Sequence, residues 1–431
     1  MRVIVSRNAP SHGAAQAGTL MLHPGHNLLT GESPFTTAFD EISSLETDLL
    51  TLAAAVFASD VAVKRGMRED IVRDIELTVP VVNFHALDGA KEDIEEILHI
   101  LSHDNWTLRF ERDQGTPEPL AAWPASDGKA LLFSGGLDSL AGAVDLLDEH
   151  GTGGVLLASH VTRNTITIAS QNRLHEYLEA RYGGAIRRVV VRAGGRESED
   201  AVFAEDGQEV TQRTRSFLFL TIAALSARRS GMSTLVMIAE NGQMAIHLPI
   251  SAGRIGAFST HTAHPSFVAK ASAFFSSALQ FPIKIENPYL YSTKAEVVRK
   301  LVADHASAVP LSVSCWKSSR VATGHCGECV PCYIRRISLE FNGSSTQGWA
   351  RDVFAEDVGT LPPTDEGKRN LVELASFAAD FRDMTAAELD MEYCELYSSY
   401  FDRTLASDMY RRFGEEAKAV MLRYPNLSFL L

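Results

Sequence analysis

Much is missing from this sequence of 431 residues. No apolar stretch approaches the length of a membrane span, so no membrane association is expected. There is no basic excess. Asp plus Glu number 54 against 40 Lys plus Arg, a net charge of −14, so direct nucleic-acid binding is not expected, although a local basic patch stays open. The first residues, Met1-Arg2-Val3-Ile4-Val5-Ser6-Arg7, hold no long apolar run of the signal-peptide kind, and a cytoplasmic protein is expected. Cysteines are scarce, five in all, and four cluster tightly. In a chain that is not secreted, such clustering suggests a metal site rather than disulfides. No internal repeat and no low-complexity tract is visible. No Gly-Lys-Ser/Thr follows the main glycine-rich turn, which excludes a Walker A loop.

What remains is globular in composition, with 45% apolar and 22% charged residues. The length predicts two or three domains. The most informative stretch is 129–149. A short apolar run, Ala130–Phe133, leads into Ser134-Gly135-Gly136-Leu137-Asp138-Ser139. Leu140, Val144 and Leu147 then recur at helical spacing. This reads as buried strand, tight turn and helix. Paired glycines permit positive φ and close approach of backbone to ligand. The turn directs backbone N–H groups, two hydroxyls and a helix N-terminus at one point, which suits a phosphate. An ordinary capped strand–helix turn is the plainer reading.

From 129 onward strands near 130–134, 154–159, 187–192 and 234–239 alternate with helices near 138–149, 169–181 and 212–229. This pattern predicts a parallel sheet covered on both faces, with ligands at the carboxyl ends of its strands. Ser159-His160 ends the second strand. Arg213 and Arg215 stand where the third helix opens, against its dipole, as an anion-binding pair would, or as ordinary surface arginines at a helix start do. Glu240-Asn241 follows the last strand and offers an acceptor and an amide to a heterocycle, or else forms a solvated turn with Gly242. His247, Arg254, His261 and His264 lie in an apparent loop, each more simply a structural histidine. Thr293 is a natural cap for the helix that Lys294 opens.

Cys315, Cys326, Cys329 and Cys332 have the spacing C-x10-C-x2-C-x2-C. Two residues between thiols let a knuckle present both sulfurs to one ion. Four thiolates select zinc in a closed structural site, with an iron–sulfur cluster as the competing choice. Cys394 is isolated and expected in a core.

The Ser-Gly-Gly-x-Asp-Ser turn resembles the loop of the PP-loop ATP pyrophosphatases, of adenine nucleotide alpha hydrolase-like fold, which cleave ATP between its α and β phosphates. The cysteine pattern with Arg335, the Thr211–Leu220 segment and Thr293-Lys294-Ala295-Glu296 are similar to the zinc site and active-site segments of the QueC-like 7-cyano-7-deazaguanine synthases. The resemblance covers roughly 129–340. It implies ATP, Mg2+ and Zn2+ as cofactors, and a PP-loop domain over 129–343 with the four cysteines on zinc. It further implies that Ser134, Gly135, Gly136, Leu137, Asp138 and Ser139 hold the nucleotide, with Asp138 orienting magnesium. Asp138, Lys294 and Arg215 would be catalytic, and Arg213, Arg215, Glu240 and Asn241 would meet a 7-carboxy-7-deazaguanine-like substrate. The family adenylates that carboxylate and passes it to an amine. Two departures stand out. Ser159-His160 replaces Asp-Tyr-Gly-Gln-Arg, and Ser216 replaces an Asn. The chain also carries an N-terminal α+β unit, 1–115, and a helical tail, 344–431. The roles open to the first are docking, homodimer formation or covering the active site. Enlarged relatives resemble the synthase-like proteins of the Qat and type IV CBASS antiphage systems, in which a partner protein's amine would replace ammonia. A housekeeping nitrile synthase and a non-catalytic nucleotide-binding scaffold are the alternatives.

Overall fold

In the computed structural model, which describes every residue except 9–17, 67–71, 162, 199–200, 202, 204–206, 233–235, 251–260, 346–347 and 431, residues 1–112 build a four-stranded sheet. Its strands are β1 (Arg2–Val5), β2 (Thr19–Leu22), β4 (Asp74–Val81) and β5 (Asn105–Arg112), in the order β2-β1-β4-β5. Alternation along 75–81 and 106–110 predicts strands but says nothing of their direction. All three pairings are parallel, so the unit is α/β rather than α+β. A parallel pair needs a crossover. The chain supplies β3 (Leu28–Leu29), α1 (Glu32–Phe39) and α2 (Ser44–Ala62) between β2 and β4, and α3 (Phe84–Gly89) with α4 (Lys91–Ser102) between β4 and β5.

Helix α2 starts at a full capping box, Ser43 with Glu46, and is buried along most of its length. A helix buried on every side cannot leave its acids unpaired. Glu46 accepts from Arg229 Nη2 at 2.5 Å, Asp48 accepts from the backbone of Val82 and Asn83, and Asp60 accepts from Arg73 Nη2 at 2.5 Å.

The second sheet holds β6 (Lys129–Leu132), β7 (Val155–His160), β8 (Arg187–Val191), β10 (Val236–Met237) and β11 (Ile285–Glu286), all parallel, in the order β11-β10-β6-β7-β8. Between them run α5 (Leu137–His150), α6 (Thr165–Tyr182) and α7 (Arg215–Arg229), then α8 (Gly242–Ile246) and α9 (Pro265–Ala278). A two-residue β9 (Gly194–Gly195) pairs with β3 and ties the two sheets' units together. From β6 the chain first fills one side of the sheet, with β7 and β8, and later the other, with β10 and β11. Strand order therefore reverses between β6 and β10, the topological switch point at which α/β sheets open a crevice at their carboxyl edge. Helix α9 and strand β11 escape a periodicity reading. The stretch before α9 is rich in glycine and histidine, and β11 is only two residues long.

The remaining helices are α10 (Lys294–Asp304), α11 (Val330–Phe341), α12 (Glu366–Asp383), α13 (Ala386–Glu392) and α14 (Arg403–Met421). Phe377, Phe381, Tyr410 and Phe413 of α12 and α14 pack together with Val330, Tyr333 and Ile334 of α11, so the tail shares a core with the chain just before it. Helical periodicity over 386–402 predicts one longer helix, but α13 stops at Glu392. Cys394 is exposed, contrary to the core position expected for an isolated cysteine; the buried anchor of its short turn is Leu396. Among the described residues no helix is long and apolar enough to cross a membrane.

Candidate active site

The strand β6 delivers its chain to the switch point, and the next six residues make the turn. Gly135 has φ +87°, and a Cβ there would lie 3.0 Å from Gln171 Cγ and 3.1 Å from Ser170 Oγ, so glycine answers both the conformation and the space. Gly136 is the cap of α5 and contributes no side chain to it, which leaves the first N–H groups of that helix open to a ligand. Ser134 Oγ donates to Ser139 Oγ at 3.2 Å, and Ser139 Oγ lies 3.1 Å from the Gly136 carbonyl. The turn is held from outside. Ser170 Oγ lies 2.8 Å from the Gly135 carbonyl, Val313 N–H donates to that carbonyl at 2.9 Å, and Gln171 Nε2 donates to Ser134 O at 3.3 Å. Leu137 is buried and serves packing.

Asp138 projects from the first turn of α5 toward the end of β10. There it meets Lys294, the first residue of α10, in an ion pair through Oδ2. Asn241 Nδ2 donates to the same oxygen at 3.3 Å and to Glu240 Oε1 at 3.0 Å. Among the described residues Asp138 Oδ1 is buried without a hydrogen-bond partner. Burial and the neighbouring Asp138 carboxylate push the Glu240 carboxyl well above the usual carboxylate range, against the pull of Lys294. Lys294 is only 6% exposed, so it is no ordinary surface lysine at a helix start. Its backbone N–H donates to Gln243 Oε1 at 2.9 Å.

The structure separates the two arginines that the sequence groups together. Helix α7 begins at Arg215, because Gln212 has φ +45° and Thr214 is the cap. Arg213 lies before the cap, is fully buried, and donates to Ser102 O at 3.0 Å in the N-terminal unit. Burial and Arg65 lower its pKa, opposed in part by Asp104 and Asp60, to about 10. Arg215 points elsewhere. Its Nε donates to Nδ1 of His160 at 3.4 Å, and His160 Nε2 meets the Ala193 carbonyl at 3.0 Å. Burial, then the charge of Arg215, holds His160 down at about 3, so the imidazole is neutral. Among the described residues Arg215 has no ion pair, and desolvation lowers its pKa, the state of a cation that lacks an anion.

Two further arginines share that state, and the sequence reading gave neither a role in binding. Arg188, on β8, donates to Ser159 Oγ at 3.3 Å, Asn172 Oδ1 at 2.9 Å and Gln171 Oε1 at 3.4 Å. Ser159 Oγ in turn donates to Phe133 O at 3.0 Å, just before the turn. Arg335 donates to Ser312 Oγ at 2.9 Å, Ser314 Oγ at 3.2 Å and Val309 O at 2.8 Å, bracing the segment whose Val313 meets Gly135. Burial lowers it to about 10. Arg335 falls three residues after Cys332, a detectable signal; Arg188 sits in a plain strand pattern and has none. Of the histidines, His261 Nδ1 meets Ile100 O and His264 caps α9, both structural; Arg254 lies outside the described residues.

Cys315, Cys326, Cys329 and Cys332 are buried with their Sγ atoms all within 4.8 Å of one another. The Cys315–Cys329 and Cys326–Cys332 sulfurs are each 3.9 Å apart. A tetrahedron with metal–sulfur bonds of about 2.3 Å has sulfur–sulfur edges of about 3.8 Å, so the cluster fits one zinc ion. Gly327 needs its φ of +78° here, since a Cβ would lie 1.9 Å from Arg351 O.

The comparisons agree with this geometry. Residues 129–343 match the family model of "Queuosine biosynthesis protein QueC". The 7-cyano-7-deazaguanine synthases of Brucella ovis, Brucella canis and Brucella abortus are each 27% identical over 221 residues, which is 49% of this chain and 89% of the relative. Residues 129–343 are therefore a QueC-family domain, and the chain is QueC-like.

Proposed function

We propose that this protein uses ATP to adenylate the carboxylate of a 7-carboxy-7-deazaguanine-like heterocycle and then joins the acyl group to an amine. The observation that carries the reading is the meeting of Asp138, Lys294, Glu240 and Asn241 beside the Ser134–Ser139 turn at the switch point. A carboxylate is a poor electrophile. Its oxygen attacks the α-phosphorus, the α–β bridging bond breaks, and pyrophosphate departs. The amine nitrogen then attacks the acyl carbon, gives up a proton and expels AMP.

The turn's N–H groups, with the Ser134 and Ser139 hydroxyls, bind the departing pyrophosphate, where preorganised donors are most effective. Lys294 is the cation nearest Asp138 and steadies charge on the adenylate. Magnesium, when bound, supplies further neutralisation of the phosphates, and Asp138 Oδ1 is the atom that fits it. Arg215 takes the substrate carboxylate, and the Glu240–Asn241 pair offers a donor and acceptor edge to the heterocycle. Arg213, engaged with Ser102, acts through its neighbours. The four-cysteine site is structural.

We place the chain in the enlarged antiphage branch, with a partner protein's amine as nucleophile. Residues 1–128 and 344–431, which lie outside the family match, support this placing. The names of the curated relatives favour a second reading, the housekeeping synthase that uses ammonia and yields the nitrile. A melting assay tests the shared core. The heterocycle, added with magnesium and a non-hydrolysable ATP analogue, is expected to raise Tm. Arg215→Ala is expected to erase that shift and keep the nucleotide-dependent one. Failure of the heterocycle to bind contradicts the substrate assignment. Free nitrile at ordinary enzymatic rates favours the housekeeping reading, and a deazaguanine adduct on a co-expressed partner's amine favours conjugation.

A further inference from the structure

The two helices that carry Arg215, which has no ion pair among the described residues, and the paired Lys294 share a feature. Each begins at its cation, and each cap residue is a threonine held by a carboxyl group from outside the nucleotide-fold core. Thr214 caps α7 with no side-chain bond of its own to the helix. Its N–H donates to Asp60 Oδ2 at 2.8 Å and its hydroxyl to the same oxygen at 3.0 Å. Asp60 lies near the end of α2, in the N-terminal unit, and its other oxygen accepts from Arg73. Thr293 caps α10, and its hydroxyl donates to Glu416 Oε1 at 2.6 Å. Glu416 belongs to α14, in the C-terminal tail, and is 5% exposed.

We propose that the N-terminal unit and the C-terminal tail are positioning elements of the active centre, acting through Asp60 on Thr214 and through Glu416 on Thr293 to set Arg215 and Lys294. A carboxylate at a helix N-terminus offsets the cost of a cation in the first turn. Asp60 supplies that charge where α7 has no acid of its own in its first turn. A bond to the cap also fixes the direction in which the first residue leaves the helix, because N-cap and N1 share one peptide plane. Without these carboxyl groups α7 would have no side-chain bond at its cap, and α10 would keep only its own Thr293–Glu296 capping box, whose threonine hydroxyl would then lack the tie to α14. On this account the parts of the chain outside the family match are integral to the catalytic fold, and neither is a separable tether. The assignment rests on the proposed roles of Arg215 and Lys294.

Four variants of the full-length chain test it. Thr214→Val removes one arm to Asp60 while leaving the Asp60–Arg73 pair, and Thr214→Ser restores that arm. Glu416→Ala removes the acceptor for Thr293, and Glu416→Gln restores it. Two readouts are taken. Hydrogen exchange of peptides over 212–218 and 293–297 reports the caps directly and needs no substrate. AMP release with 7-carboxy-7-deazaguanine reports the cations. Thr214→Val is expected to speed exchange about tenfold at α7 only and raise KM for the carboxylate about tenfold with kcat little changed. Glu416→Ala is expected to speed exchange at α10 only and lower kcat about tenfold with KM little changed. The Ser and Gln variants are expected to recover both. Lowered Tm with unchanged exchange, or both constants moving together in both variants, overturns the proposal. A wild-type chain that turns over no carboxylate overturns the function proposed above, and exchange then decides the capping relation alone: selective loss supports it, and no change overturns it.

Discussion

Lys294, the first residue of α10, pairs with Asp138, in the first turn of α5, across 156 residues of sequence. Both are nine-tenths buried. Two charges removed from water are retained at a cost that only close geometry and added hydrogen bonds recover. Asn241 supplies one such bond. The pair joins the Ser134–Ser139 turn and α5 to the start of α10, and it lies at the crevice that the strand order opens.

Breaking the pair from one side is therefore expected to be severe. Lys294→Met leaves Asp138 ionised and unpaired in a buried place, a loss of about 3–5 kcal/mol. Lys294→Met combined with Asp138→Asn removes the stranded charge and is expected to recover most of that stability while remaining inactive. Urea denaturation of the two variants checks this. A single variant as stable as the parent chain contradicts the buried pair.

Gly135→Ala places a Cβ where φ is +87° and where Gln171 and Ser170 already stand at about 3 Å. The left-handed backbone alone costs roughly 1–2 kcal/mol for a residue other than glycine. The variant is expected to fold, with the turn displaced, and to bind a non-hydrolysable ATP analogue at least tenfold more weakly by calorimetry. Gly151→Ala, with open space around it, is the control for backbone strain alone. Equal affinity in Gly135→Ala and the parent argues against the turn as the phosphate site.

One zinc per chain is expected from elemental analysis, with no absorption in the visible range. Cys329→Ser is expected to lose the ion and melt at lower temperature, because α11, which Cys329 caps, then loses its tie to Cys315. Iron with a visible chromophore, or a full complement of zinc in the variant, contradicts the assignment.

Much of this site is legible in the sequence because its groups are local. Ser134 to Ser139 are consecutive, and the four cysteines fall within 18 residues, so spacing alone carries the chemistry. The pairing of Asp138 with Lys294 is not legible, since it depends on β6 and β11 coming to lie on either side of β10. Arg213 and Arg215 look equivalent in sequence, two residues apart at a helix start. Only the cap at Thr214, held by Asp60, sends one into the N-terminal unit and the other toward His160. The parallel direction of β1, β2, β4 and β5 is hidden for a similar reason, because alternation reports burial and not pairing. The expected core position of Cys394 fails because an isolated cysteine carries no periodicity to place it.

Stability is expected to depend on pH through Glu416. Burial, opposed in part by the Thr293 hydrogen bond, raises its carboxyl from 4.5 to about 7. Below pH 4.5 the folded and unfolded chains are both protonated there. As pH rises toward 7 the unfolded chain releases a proton that the folded chain retains, so folding stability falls across that window and levels off above it. At 1.36 kcal/mol per pH unit the whole effect is about 3 kcal/mol at most. Urea midpoints at pH 5 and pH 7.5 are expected to differ less in Glu416→Gln than in the parent. An identical difference in both contradicts the assignment.

The central claim is carboxylate activation by cleavage of ATP between its α and β phosphates. The most direct measurement follows the nucleotide products of the full-length protein, given ATP, magnesium, an amine donor and 7-carboxy-7-deazaguanine. AMP and pyrophosphate are expected in equal amounts, formed only when the carboxylate is present and abolished by Asp138→Ala in a chain that still folds. Release of ADP and phosphate, or no turnover by a well-folded protein that binds ATP, as a scaffold would, contradicts the claim.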